Sequence, residues 1–213
     1  MLRNTTLLWL GLLLWAGPVS AKSAPKVYNL TVSQQEGVQP ALTKKDVKSI
    51  LQRASKVLVS HGCNVKFTLK GEIGTFTSAP AVIQTAADLE AAHSVPADVK
   101  IVQNIHFCVN KHDDGGYLGC SWRPEGKTKT MIVSRLAGGI DIRPIVWAHE
   151  FGHTTGLQHR VDPQNTALMT PCGIKAFNQA VTKDECQCFL GGPGSCNVPE
   201  SAGQACPAGA DGD

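Results

Sequence analysis

Residues 149–159 read His-Glu-Phe-Gly-His-Thr-Thr-Gly-Leu-Gln-His. On an α-helix, residues four positions apart lie on one face about one turn apart, so His149 and His153 can direct their imidazoles at a single ion. A catalytic zinc ion takes three protein ligands and leaves one position open. His159 can supply the third ligand if the chain turns sharply at Gly156, which adopts a left-handed conformation at almost no cost. The stretch therefore predicts a helix, a glycine turn and a site for one zinc ion.

Glu150 directly follows the first predicted ligand and can face the same side of the metal without binding it. A carboxylate in that position suits a general base for zinc-bound water. It would accept the proton as the hydroxide attacks a peptide carbonyl, and then pass it to the leaving amine. The alternative is that two histidines fall by chance on an exposed helix face, because short motifs give false positives. The added glycine and third histidine favour the catalytic interpretation.

The first residues indicate export from the cell. Arg3 precedes an apolar run, Leu7–Ala16, which is followed by Gly17–Ala21 with small residues at the positions that signal peptidase requires. A membrane anchor is the alternative, but the run is about half of the roughly 20 residues that a spanning helix needs. We therefore expect a signal peptide at 1–21, a secreted product (extracellular or periplasmic) and no membrane association after cleavage.

The remainder of the chain is long enough for one domain with a hydrophobic core. We assign 22–190 to a catalytic domain, with an upper part to about residue 156 and a lower part after it, and 191–213 to a tail rich in Gly, Pro and Cys. The net charge is +3 and the basic residues are scattered. We therefore expect no nucleic-acid partner and no binding to an anionic membrane. We also expect a monomer.

Eight cysteines follow the predicted cleavage site, at Cys63, Cys108, Cys120, Cys172, Cys186, Cys188, Cys196 and Cys206. In an exported chain disulfide bonds are the expected state. A cysteine metal site is the alternative, but Cys186 and Cys188 are closer together than the usual Cys-x2-Cys pair, and no second pair exists. We expect four disulfides among 105 connectivities, with the tail tied locally by Cys196 and Cys206.

Hydrophobic periodicity predicts alternating strands and helices. Residues Val27–Val32 and Cys63–Leu69 alternate like strands, and Lys100–Val109 is a more continuously apolar strand. Between the first two strands, an amphipathic helix is capped by Thr43 and stopped at Gly62. A short helix is predicted at Ala86–Ala92.

The second half is predicted to hold an edge strand at Tyr117–Trp122, after the turn cluster Asp113–Gly116, and a further strand at Thr128–Ser134. The motif helix should be capped by Asp141, with Pro144 in its first turn, and should end near Thr155. A last helix begins at Thr182–Glu185, which has capping-box form. The expected fold class is α+β.

The stretch from His149 to His159 resembles the long zinc signature of the metzincin clan, and it matches every fixed position. Ala167–Pro171, with Met169 ten residues after the third histidine, resembles the methionine turn of that clan. Within the clan, the chain is most similar to matrixin-like catalytic domains. The resemblance implies a twisted mixed sheet with one antiparallel edge strand, a long active-site helix, and a small irregular C-terminal subdomain with a last helix. It also implies that Met169 lies beneath the zinc site and is not a ligand.

Gly115–Cys120 resembles the loop and edge strand where metzincin substrates pair by strand addition. The histidines that hold a second zinc in matrixins are not matched, because Cys120 stands in that place. A second ion site, with calcium as the candidate, could be lined by His106, His112, Asp113 and Asp114. A solvated loop is the favoured alternative, and His61 and His93 are interpreted as surface histidines.

These observations predict a secreted zinc endopeptidase that acts on protein or peptide substrates, with a separate protein inhibitor as a candidate partner. One alternative is a secreted binding module that keeps the fold without turnover. Glu150 argues against it, because an inactive chain would be free to lose its base. Another alternative is a zinc amidase acting on cell-wall peptides, which is disfavoured because the sequence contains no wall-binding repeat.

Overall fold

The computed structural model describes residues 24–108, 111–113, 115–121, 130–135, 139–162, 164–171 and 173–196. The predicted signal peptide and most of the predicted tail lie outside these residues. Within them, the helices are α1 Lys44–Ser60, α2 Ala86–His93, α3 Arg143–Thr155 and α4 Lys183–Gly191. None of these helices is long and apolar enough to cross a membrane.

The strands are short. They are β1 Lys26–Leu30, β2 Val32–Gln35, β3 Val65–Leu69, β4 Gly74–Phe76, β5 Val82–Ile83, β6 Val99–Val102, β7 Asn104–Ile105, β8 Phe107–Cys108, β9 Lys111–His112, β10 Gly119–Cys120 and β11 Met131–Ser134. Five of them form the main sheet in the order β10-β11-β6-β2-β4. Within this sheet, only the edge pair β10/β11 is antiparallel. The described residues therefore have a mixed α/β fold with a mostly parallel sheet, and the expected antiparallel edge strand is present.

The predicted strand Val27–Val32 is divided in two. β1 pairs in parallel with β3 in a separate sheet, whereas β2 joins the main sheet beside β6. Thr31 lies between them, and its backbone N–H and hydroxyl both donate to a carboxylate oxygen of Asp98, at 2.7 and 2.6 Å. Thr31 marks the point where the chain passes from the β1/β3 sheet to the main sheet, and strand periodicity alone does not reveal this change.

The predicted strand Lys100–Val109 is also wrong as a single element. β6 pairs with β2 and β11, but β7 pairs with β5 and β8 pairs with β9. Gln103 separates β6 from β7, and its N–H donates to the carbonyl of Ala81 at 2.7 Å. Val99–Val102 and Ile105 are buried, but the pieces of this run have different neighbours.

Two predicted helix caps are confirmed. Thr43 and Asp46 form a capping box at the start of α1, and Thr182 and Glu185 form one at the start of α4. The prediction that Asp141 caps α3 is wrong. The helix begins with Ile142 at the cap position and no side-chain hydrogen bond there. The carboxylate of Asp141 is instead ion-paired with Arg53 on α1.

Helix α3 packs against α1 and the inner face of the β1/β3 sheet. The ring of Phe151 on α3 lies 4.8 Å from Tyr28 on β1 and 4.8 Å from Phe67 on β3, measured between centroids. All but two residues of α3, Arg143 and His153, are buried. The helix that carries the histidine motif is therefore held on several sides by the core.

Disulfides join Cys63 to Cys186, Cys108 to Cys120, and Cys188 to Cys196. The predicted bond between Cys196 and Cys206 is therefore wrong, because Cys196 is bonded to Cys188 inside the last helix. Cys172 and Cys206 lie outside the described residues, so the expectation of four bonds stays a prediction, as does the division of the domain near residue 156.

Candidate metal centre

The end of α3 sets the geometry of the site. Gly156 follows the helix with φ of 107°, in the left-handed region, and its N–H donates to the carbonyl of His153 at 3.0 Å. A residue with a side chain is strained in that conformation, whereas glycine is not. The chain consequently turns back, and His159 comes to lie beside His149 and His153.

The three histidines converge through the same ring atom. The Nε2 of His153 lies 3.0 Å from the Nε2 of His149 and 3.1 Å from the Nε2 of His159. One ligand atom from each residue lies within 4.8 Å of the others, and these three histidines form the one such group in the described part of the chain. Nitrogen ligands about 2.0–2.1 Å from a tetrahedral zinc are separated by roughly 3.3 Å. The three nitrogens therefore fit around one ion of this size.

Hydrogen bonds orient the two helix histidines. The Nδ1 of His149 lies 2.7 Å from the carbonyl of Leu168, and the Nδ1 of His153 lies 2.9 Å from the carbonyl of Leu157. Because a carbonyl only accepts, each Nδ1 carries the proton, and each Nε2 directs its lone pair at the shared point. This is the tautomer that metal binding requires.

The site also favours neutral imidazoles. Burial, and then the neighbouring charges of His153 and His159, lower the pKa of His149 well below its ordinary value. Burial likewise lowers the pKa of His159. A metal binds the unprotonated nitrogen, so these shifts keep the ligand atoms available at neutral pH.

Glu150 is buried beside the histidine cluster, with 4% of its surface exposed. Its Oε2 has no hydrogen-bond partner in the described part of the chain. Burial raises the pKa of this carboxyl to about 8, against a smaller opposing effect of the Ser121 hydroxyl. A buried carboxylate oxygen without a partner is costly. Its placement fits a site that receives a metal and a water molecule.

The edge strand approaches this carboxylate closely. A Cβ atom at Gly119 on β10 would lie 2.6 Å from the Cδ of Glu150, so only glycine fits there without displacement. The next residue but one, Ser121, donates its hydroxyl to the backbone carbonyl of Glu150 at 3.0 Å. The sequence predicts an edge strand over both residues but does not reveal their contact with Glu150. A glycine inside a strand is a signal of such close approach.

Met169 packs against α3 at Gly152 and is fully buried. A Cβ atom at Gly152 would lie 2.5 Å from the Sδ of Met169. The thioether therefore packs directly onto the helix backbone between His149 and His153. Met169 supports the helix face that presents these two histidines.

The predicted calcium site is not supported. His106 is occupied by neighbours in its own loop, because its Nδ1 lies 3.0 Å from the carbonyl of Asp113 and its Nε2 lies 2.9 Å from the amide of Asn104. Asp114 and the side chain of His112 lie outside the described residues. No metal-capable group forms there among the side chains that are described.

The two histidines predicted at the surface differ. His61 is exposed. His93 is partly buried, and its Nδ1 lies 3.0 Å from the hydroxyl of Thr130. The prediction is therefore wrong for His93, which packs against the sheet from the last turn of α2.

No family model matches the chain, and no curated protein is similar to it in sequence. Among solved structures, the chain is similar to archaemetzincin from Methanopyrus kandleri, with a TM-score of 0.48 and 15% sequence identity, over 80% of this chain and 96% of that chain.

Proposed function

We propose that this chain is a secreted zinc endopeptidase, in which His149, His153 and His159 hold one zinc ion and Glu150 is the catalytic base. One observation carries the proposal. Three imidazole Nε2 atoms converge on one point, beside a buried carboxylate whose Oε2 has no hydrogen-bond partner among the described residues. Three neutral nitrogens and an open position are what a catalytic zinc requires.

A zinc ion in this site would polarise a substrate carbonyl and make a nearby water molecule more acidic. The carboxylate of Glu150 would take the proton of the attacking water. Having accepted that proton, the carboxyl group would give it to the leaving amine. The close contact with Gly119 limits the positions open to this carboxylate.

The geometry supports an extended peptide as the substrate. β10 lies at the edge of the main sheet, and on its inner side it pairs with β11. An exposed sheet edge can accept a further strand through backbone hydrogen bonds. Gly119 belongs to this edge strand and contacts Glu150, so a peptide paired along it would pass the metal centre.

Secretion is supported by the covalent structure. Three disulfides crosslink the described residues, and disulfides persist in oxidising compartments. Together with the predicted signal peptide, they favour export over a reducing compartment.

The test is cleavage of a diverse peptide library by purified mature protein. We expect cleavage that is lost with a chelator and restored by zinc. Glu150→Gln should retain stoichiometric zinc and lose at least about a hundredfold in rate, which is the usual scale for a general base. Glu72→Gln, at an exposed carboxylate paired with Lys44, is the matched control and should cleave normally.

Each alternative gives a different result. Zinc binding without cleavage of any peptide would support the binding module and contradict the endopeptidase. Release of cell-wall peptides without cleavage of ordinary peptides would support the amidase. Equal rates for the native protein and Glu150→Gln would contradict the assigned role of the base.

A further inference from the structure

His159 is the ligand whose position depends most on tertiary contacts. His149 and His153 belong to a buried helix, whereas residues 157–160 have no regular secondary structure. The two helix histidines are each oriented by a backbone carbonyl at Nδ1. Within the described part of the chain, no hydrogen bond is made to the Nδ1 of His159. The contacts of its neighbouring residues therefore bear on how this ligand is held.

Its neighbour Arg160 makes the contacts that could do so. The Nε and Nη2 atoms of Arg160 donate to the two carboxylate oxygens of Glu185 on α4, at 2.7 and 3.3 Å. Nη2 also donates to the carbonyl of Ala180 at 3.1 Å. The backbone N–H of Arg160 donates to the carbonyl of Met169 at 2.7 Å. Both the main chain and the side chain of this residue are therefore anchored.

Glu185 is a firm anchor for such a contact. It is 6% exposed, and its Oε2 also accepts the N–H of Thr182 at 2.7 Å as part of the capping box of α4. The next residue, Cys186, is disulfide-bonded to Cys63 just before β3. The guanidinium thus connects the segment of His159 to helix α4. That helix is in turn bonded covalently, through Cys186, to the residue that leads into β3.

We infer that Arg160 is a positioning residue, which fixes His159 for zinc by pairing in bidentate geometry with Glu185. The inference rests on the proposed zinc site. A bidentate arginine–carboxylate pair sets orientation as well as distance. Residues that hold metal ligands in place typically change metal affinity by about 10- to 100-fold when replaced.

The test measures zinc affinity of the apo protein by competition with a chromophoric chelator, together with thermal unfolding of the apo and zinc-loaded forms. Arg160→Met should raise the zinc Kd by about 10- to 100-fold and reduce the increase in Tm that zinc produces. Arg160→Lys should give a smaller loss, because lysine keeps the charge but cannot make two parallel hydrogen bonds. The visible spectrum of the cobalt-substituted protein should change in both variants.

Arg53→Met is the matched control. Arg53 pairs with the carboxylate of Asp141 and the backbone carbonyl of Ile140, and neither group borders the third histidine. Arg160 differs in having a second, longer ion pair, between its Nη1 and the Oδ2 of Asp162 at 3.7 Å. Its zinc affinity should stay within about twofold of the native value. Glu185→Gln, which keeps the shape of the carboxylate, should weaken zinc binding in the same direction as Arg160→Met, and the double variant should lose less than the sum of the two.

The possible results distinguish the positioning role of Arg160 from the zinc site itself. Native zinc affinity and an unchanged cobalt spectrum in Arg160→Met and Arg160→Lys, with only a lower apo Tm, would overturn the positioning role and leave the zinc site standing. Failure of the native protein to bind zinc would overturn the proposed function and the inference together. If Arg160→Met does not fold, Arg160→Lys and Glu185→Gln decide the question.

Discussion

Lys100 provides a test of the fold that does not involve the metal centre. It lies on β6 in the middle of the main sheet, and its side chain is fully buried. Its Nζ donates to the carbonyl of His93, the last residue of α2, at 3.4 Å. Burial lowers the pKa of Lys100 from 10.5 to about 8, and the nearby charge of Asp98 only partly opposes this.

The lowered pKa makes stability depend on pH in a defined direction. Below about pH 8 the lysine is charged in both the folded and the unfolded chain, so the full cost of burying the charge is present. Between about 8 and 10.5 the unfolded chain holds a proton that the folded chain releases, so the free energy of unfolding rises with pH. At about 1.4 kcal/mol per pKa unit, the penalty at neutral pH is at most roughly 3.5 kcal/mol.

Replacing Lys100 by methionine removes this penalty and keeps an apolar side chain of similar length. The gain in unfolding free energy of Lys100→Met over the native protein should be largest near pH 7 and should fall by roughly 2 kcal/mol by pH 9.5. Urea unfolding of both proteins across that range measures the difference. Lys48→Met, at an exposed position on α1, is the control for loss of a surface lysine. A difference that is independent of pH, or that grows with pH, would refute the reasoning.

Two glycine substitutions test the contacts around the site. Gly119→Ala would place a methyl group against the carboxylate of Glu150, so the cleavage rate should fall by roughly ten- to a hundredfold. The control is Gly139→Ala, whose added carbon meets nothing within 4 Å and which should cleave at the native rate. Equal rates for the two variants would contradict the contact between Gly119 and Glu150. Gly152→Ala would overlap the sulfur of Met169 and should lower the free energy of unfolding by about 1–3 kcal/mol. Urea denaturation measures this loss, and an unchanged midpoint would show that Met169 is not packed as described.

The features that could be predicted from the sequence are local. The spacing of His149 and His153 and the glycine turn at Gly156 involve neighbours within one or two helical turns. The capping boxes at Thr43 and Thr182 span three residues each. In such cases the backbone geometry of one element places the groups together, so no knowledge of the rest of the chain is needed.

The predictions that were wrong involve competition from distant residues. Asp141 has the residue type and position of a helix cap, but Arg53, far earlier in the sequence, takes its carboxylate. The bond of Cys196 is a local exception, because its partner Cys188 on α4 lies only 8 residues away. The contact of Gly119 with Glu150 joins groups 31 positions apart. Contacts between residues far apart in the sequence depend on how the elements pack, and they cannot be predicted from the local pattern of a single sequence.

The turn at Leu168 and Met169 shows why the candidate site cannot be separated from the fold. The carbonyl of Leu168 orients His149, and the carbonyl of the next residue, Met169, accepts the N–H of Arg160 beside His159. Two consecutive residues thus hold His149 and the segment that carries His159. The N–H of Leu168 donates to the carbonyl of Ala180 at 2.9 Å. This bond gives a partner to a backbone N–H that is buried outside regular secondary structure. A shift of this turn would move two of the three histidines at once, so its position is a condition for their convergence.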